Sequence, residues 1–128
     1  MNKICTSIEQ SKKLAEILPI ESADMEYMFL KRDCSEVSNV PFVKDGFEEP
    51  ECCYIFIPCW SLAALLNLIP KHIKDYNVLR IDISENEFAI WYDEISCGVN
   101  NELPDITKKT AIDACYEMIL KLHELNLL

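Results

Sequence analysis

Residues 52–70 read CCYIFIPCWSLAALLNLIP, nineteen consecutive residues without a charge in a chain of 128 residues and formal net charge -10. A membrane helix needs about 20 apolar residues, roughly 30 Å at 1.5 Å per residue, so length alone permits a span. Three features argue against it. Pro58 interrupts the run and would break a helical ladder. Ser61 and Asn67 are polar and have no evident partners in the run. The period also changes at the proline. Before it, CCYIFI is rich in aromatic and β-branched residues and suits a buried strand. After it, Ser61 can cap a helix, LAALLNLI is made of helix formers, and Pro70 ends the helix. The pattern predicts strand, turn and helix, both elements apolar on nearly all sides and therefore central.

The flanking segments fit around such a centre. Thr6 with Glu9 reads as a capping box opening a helix over 6–18, closed by Pro19, with Ile8, Leu14, Ala15, Ile17 and Leu18 as its apolar stripe. Residues 25–32 suit a strand. Residues 33–51 form a long polar loop with room for a short strand at its middle. Residues 78–84 alternate, Leu79, Ile81 and Ile83 against Arg80 and Asp82, and 88–92 form a further strand. The Ser84–Glu87 link predicts an antiparallel hairpin, with 95–99 as a weak extra strand. Thr110 opens a last helix with Asp113 at its third position, and Ala111, Ile112, Cys115, Met118, Ile119, Leu122 and Leu125 give it an apolar face that covers a sheet. Strands and helices without strict alternation favour α+β, a small antiparallel or mixed sheet of about four strands packed with three helices. The length predicts one domain over 1–128.

Charge and composition exclude several functions. The acidic balance lacks the basic footprint of phosphate binding, so direct nucleic-acid contact is not expected. With only Gly46 and Gly98, the chain cannot form a dinucleotide fingerprint or a phosphate-binding loop. Adjacent Cys52 and Cys53 face opposite ways in a strand, and His72 and His123 stand apart, so no zinc site is expected. Residues 82–93 resemble a calcium loop faintly, but Glu87 stands where glycine is needed and Asp93 where a bidentate glutamate is needed. No metal or other cofactor is expected. The start, MNKICTSIEQ, turns polar before an apolar leader can form. The seven cysteines are therefore expected to be reduced, and the protein cytoplasmic, with no membrane association.

Candidate functional residues are few. Cys59 precedes a helix N-terminus, which would lower its thiol pKa, yet the nearest base, His72, lies roughly 15 Å along that helix. A buried core cysteine is the favoured expectation. Trp60, at the strand-to-helix turn, and Trp91 with Tyr92 on a neighbouring strand could line a small pocket or anchor a partner, although core packing is commoner. Between Arg80 and Lys108 stand Asp82, Glu85, Glu87, Asp93, Glu94, Glu102 and Asp105, with no Lys or Arg. If several share a face, that face attracts basic proteins; otherwise it aids solubility.

The segments ICTSIEQSKKLAEIL (4–18), IPCWSLAALLNLIP (57–70) and DACYEMILKLHELNLL (113–128) resemble a family of small uncharacterised proteins from gut bacteria of the Bacteroides type and their phages and mobile elements. The resemblance implies a cytoplasmic accessory protein of phage or mobile-element context, and no activity, cofactor or catalytic residue. The expected function is thus a non-catalytic protein-interaction module with an acidic surface. Its binding residues are Trp60, Trp91, Tyr92, Asp93 and Glu94, and its partner another protein, basic or DNA-binding by charge. The alternative is a small-molecule-binding domain or enzyme with a pocket near Trp60.

Overall fold

The computed structural model describes residues 4–30, 42–43, 54–74, 77–94 and 103–128. Among these residues, three helices and two antiparallel sheets make an α+β fold. The chain divides into two compact units, one of Ile4–Ala64 and one of Leu65–Leu128. The strands divide with them, whereas the sequence suggested one sheet of about four.

In the first unit, helix α1 (Ile8–Ala15) starts one residue later than the Thr6–Glu9 box predicts. Ser7 is the cap: its hydroxyl accepts from the Gln10 backbone N–H at 3.2 Å, and the Gln10 side chain accepts from the Ser7 N–H at 3.0 Å. Thr6 is not available for capping because its hydroxyl accepts the Trp60 backbone N–H at 3.1 Å and meets Ser11 Oγ at 2.8 Å. That buried network also corrects the stripe, in which Ser11 is buried beside Leu14 while Ala15 is exposed. A single 3-10 turn, Ile20–Ser22, begins after Pro19.

The three-stranded sheet follows, in the order β2 (Phe42–Val43), β1 (Met25–Leu30), β3 (Tyr54–Cys59). Strand β2 falls near the middle of the predicted loop, whose remaining residues lie outside the described ones. Strand β3 does not stop at Pro58, which pairs with Glu26 of β1. The physical reason lies two residues on. Trp60 directs its N–H outward to Thr6, so the period of a strand directs the Pro58 nitrogen to that same outer edge. No ladder bond to β1 is lost, as an edge proline requires. The strand and the helix that follows are less central than expected: Ile55 and Ala63 are exposed, and among the described residues of the run only Cys59, Trp60, Ala64, Leu65 and Ile69 are buried.

Helix α2 (Leu62–Leu68) is capped as predicted by Ser61, whose hydroxyl accepts the Ala64 N–H at 3.2 Å. Among the described residues no helix is long and apolar enough to cross a membrane.

The second unit carries the sheet β4 (His72–Ile73), β5 (Asn77–Ile83), β6 (Phe88–Glu94), β7 (Asp105–Lys108), in that spatial order. The β5–β6 hairpin is the predicted one. Its link closes through the Ser84 N–H donating to the Glu87 carbonyl at 2.9 Å. Strands β4 and β7 were not anticipated, and 95–99 lie outside the described residues. Helix α3 (Ala111–Glu124) is capped by Thr110, which accepts the Asp113 N–H at 3.2 Å. Its buried Ile112, Ala114, Cys115, Met118, Ile119 and Leu122 pack on β6 and β7. Ala111 and Leu125 fall outside that buried set, and Leu125 is exposed.

The α1 cap gives a direct check. Replacing Ser7 by Ala removes the capping acceptor and should cost about 1 kcal/mol of unfolding free energy. Glu9→Ala, at the position the sequence favoured, should stay within about 0.5 kcal/mol. Urea denaturation of the two variants distinguishes the registers.

Candidate functional site

The register of the four-stranded sheet sorts the candidate residues onto two faces. Directly paired residues share a face. Ile83 pairs with Phe88, Ile81 with Ile90 and Leu79 with Tyr92, while Phe88 and Ile90 pair onward with Lys108 and Ile106. This is the face that α3 packs on. The cover is incomplete: Phe88, Ile90 and Tyr92 on β6 are buried, but on β5 Ile81 is 40 % exposed and Ile83 74 %.

The opposite face holds Val78, Arg80 and Asp82 of β5, Asp93, Trp91 and Ala89 of β6, and Asp105 and Thr107 of β7. Arg80 meets Asp93 at 3.6 Å, one ion pair among the exposed groups there. Such a surface pair contributes at most about 1 kcal/mol. Three acids of the predicted stretch, Asp82, Asp93 and Asp105, therefore share one face around half-buried Trp91. Glu94 belongs to the other face, Glu85 and Glu87 to the hairpin link, and Glu102 lies outside the described residues.

Trp91 and Tyr92, adjacent on one strand, point to opposite faces, so they do not form one aromatic surface. Tyr92 is a core residue whose hydroxyl donates to the Pro70 carbonyl at 2.6 Å, and burial raises its pKa. Trp60 is 0 % exposed, and its indole N–H donates to Ser22 Oγ at 2.9 Å. It belongs to the three-stranded sheet's unit, and Trp91 and Tyr92 to the other sheet, so they are not on neighbouring strands. With no exposed surface and its one donor satisfied, Trp60 is a structural anchor.

A groove of about 530 Å³ lies elsewhere, lined by Leu66, Asn67, Lys71, His72, Val78, Leu79, Arg80 and Ile81. It sits where the chain leaves the outer edge of β5. There β4 pairs only with Asn77 and Val78, and one further bond runs from the Leu79 N–H to the Lys71 carbonyl at 2.9 Å. Beyond that point, among the described residues, no strand pairs with β5 on this side. The Leu79 bond fixes the phase. Outward N–H groups recur every second residue, so Ile81 and Ile83 also direct theirs to the open edge. Ser84, of the other parity, bonds inward to Glu87.

The Lys71 ammonium is engaged at the end of α2, donating to the carbonyls of Leu66 and Ile69. The groove and the edge are continuous, apolar along Leu66, Leu79 and Ile81 and bordered by the exposed acids Asp82, Glu85 and Glu87. Sequence alternation exposed the residue types but not the free edge, which depends on β4 being two residues long.

Cys59 is a buried core cysteine, as expected, and not the activated thiol that a helix N-terminus would make. Its thiol pKa is raised rather than lowered, first by its hydrogen bond with Cys5 and then by burial. Among the described residues no three His, Cys, Asp or Glu side chains gather as metal ligands would. Comparison of the chain with family models, curated proteins and solved structures returns no match.

Buried ionisable groups set the alkaline limit of this unit. Burial pushes the Cys115 thiol from 9.0 up to about 12, against a smaller downward pull from Lys71, and raises Tyr92. A raised acid stays protonated in the folded state while the unfolded chain ionises. Stability is then fully present below about pH 9 and is lost as pH rises towards about 12. Denaturation midpoints measured from pH 8 to pH 11 should fall, with a shallower slope for Cys115→Ala than for the parent; equal slopes would remove this account.

Proposed function

We infer that this protein is an interaction module that takes an extended segment of another protein as an added strand on the outer edge of β5. The supporting observation is the combination of outward backbone groups at Ile81 and Ile83 with their exposed side chains. An unpaired edge offers N–H and C=O groups to any extended chain, and native proteins normally blunt such edges. Here the exposed isoleucines give apolar contacts on alternate positions, the pattern by which strand-adding domains gain affinity and specificity.

Charge selects the segment. The chain carries -10, and Asp82, Glu85 and Glu87 are exposed beside the edge. An occupant alternating apolar with Lys or Arg residues would set its apolar side on Ile81 and Ile83 and its basic side towards Asp82. The basic arms of DNA-binding proteins have such charge. The same field disfavours direct binding of nucleic acid. An accessory role in a phage or mobile-element setting accords with a small module defined by its partner.

Selection from a random peptide display library tests the reading. Enriched peptides should alternate apolar and basic residues and slow amide exchange across Arg80–Ile83. Ile81→Pro removes an outward N–H while sparing the β5–β6 ladder, and Ile83→Lys adds repulsion at an exposed position. Each should weaken a selected peptide at least about tenfold, the equivalent of about 1.4 kcal/mol, with thermal midpoints nearly unchanged. Acidic peptides, or peptides that bind both variants as well as the parent, would exclude the edge as the site.

A further inference from the structure

We propose that Cys5 and Cys59 form a two-thiol site that reduces a hydroperoxide and closes to a reversible disulfide. Cys5 stands opposite Ser61 in an isolated antiparallel bridge. Cys59 lies two residues earlier on the same strand, hence on the same side, and the two thiols are hydrogen-bonded to each other. Closing a disulfide brings the two Cβ atoms to about 3.5–4.5 Å.

The surroundings make the pair unequal. Cys5 Sγ lies 3.4 Å from Tyr27 Oη and 3.2 Å from the Thr6 carbonyl oxygen, which also accepts the Tyr27 hydroxyl at 2.9 Å. While Cys5 is a thiol, it donates to that carbonyl. Once it ionises, the Tyr27 proton can turn from the carbonyl to the sulfur, and the Cys59 S–H supplies a second donor. These two hydrogen bonds, the Cys59 one larger, bring Cys5 down to about 7 against the opposing effects of burial and the Asp24 charge. Cys59 keeps its proton, with burial and the charges of Asp24 and Glu26 adding to the effect of Cys5. Cys5 is 4 % exposed and Cys59 0 %, so of the two the thiol that ionises lies nearer the surface.

The chemistry balances within the pair. The Cys5 thiolate attacks one peroxide oxygen; the S–O bond forms, the O–O bond breaks, and the leaving alkoxide or hydroxide takes a proton from solvent. Cys5 is then a sulfenic acid. The Cys59 sulfur attacks it, the S–S bond forms, the S–O bond breaks, and hydroxide leaves with the Cys59 proton as water. Two electrons pass from the thiols to the peroxide, and a dithiol reductant restores the pair by exchange.

Hydrogen peroxide is the probe. The full chain is treated near neutral pH, alkylated, and mapped by fragmentation of its peptides, which separates Cys59 from nearby Cys52 and Cys53. A Cys5–Cys59 link that dithiothreitol reverses is expected, with Cys115 left reduced. Its lowered pKa makes Cys5 thiolate at pH 7 to a greater extent than Cys115, whose pKa is raised, so Cys5 should react first. The rate should rise with pH and level off above about pH 7. Cys59→Ser should accumulate a sulfenic acid that dimedone traps, and Cys5→Ser should leave Cys59 reduced. Should either variant fail to fold, the link map and pH profile of the parent decide. A link from Cys5 to another cysteine, over-oxidation of Cys5 with Cys59 untouched, or oxidation of Cys115 at the rate of Cys5 would each overturn the proposal.

Discussion

The first unit depends on the mutual bonding of Thr6 and Trp60. The Thr6 N–H donates to the Trp60 carbonyl at 2.9 Å, and the Trp60 N–H donates to the Thr6 hydroxyl at 3.1 Å. Both residues are wholly buried, so each of these groups would cost about 1–3 kcal/mol if left unpaired. The same two residues engage the surrounding elements. Thr6 meets Ser11 of α1, its carbonyl accepts Tyr27 of β1, and the Trp60 indole reaches Ser22 of the 3-10 turn. Next to Trp60, Ser61 donates its N–H and hydroxyl to Asp24 while capping α2. Side chains from three elements are held against one strand end. The thiol pair lies in this polar cluster and inherits its geometry.

Legibility in the sequence followed the range of the interactions. The α2 and α3 caps and the β5–β6 link are set by residues three or four positions apart, and Ser61, Thr110 and the Ser84–Glu87 link could be read directly. The α1 cap was misplaced by one residue because the choice between Thr6 and Ser7 is made by Trp60, remote in sequence. Pro58 looked like a strand end because a missing donor matters only towards a partner, and the side on which the partner lies is a tertiary fact. Strands of two and four residues, β4 and β7, are too short to show a period. The candidate site was half legible. Exposed acids on 82–105 and the alternating isoleucines were visible, but Trp60 reads the same buried or exposed, and nothing in the spacing of Cys5 and Cys59 announces that they meet.

The sheet edges are treated unequally. On β3 the outer edge meets Thr6 and presents a proline nitrogen where a donor would stand. The outer strand β7 is four residues long, with Asp105 and Lys108 exposed. Of these edges and that of β5, it is β5, past the point where β4 leaves it, that combines outward backbone groups with uncovered isoleucines. Proteins use short strands, prolines and charges to prevent unwanted pairing, and the edges of β3 and β7 follow that rule. An edge that breaks it at the mouth of a groove is economically explained by a visitor that arrives as a strand.

That exception also bears on how the molecule behaves alone. An antiparallel edge is self-complementary, so two copies related by a two-fold axis could join β5 to β5 and merge their sheets into one continuous ribbon. Because each copy carries a net charge of -10, ionic strength becomes the control: dilute buffer keeps copies apart, while salt screens the repulsion and lets concentrated solutions self-associate.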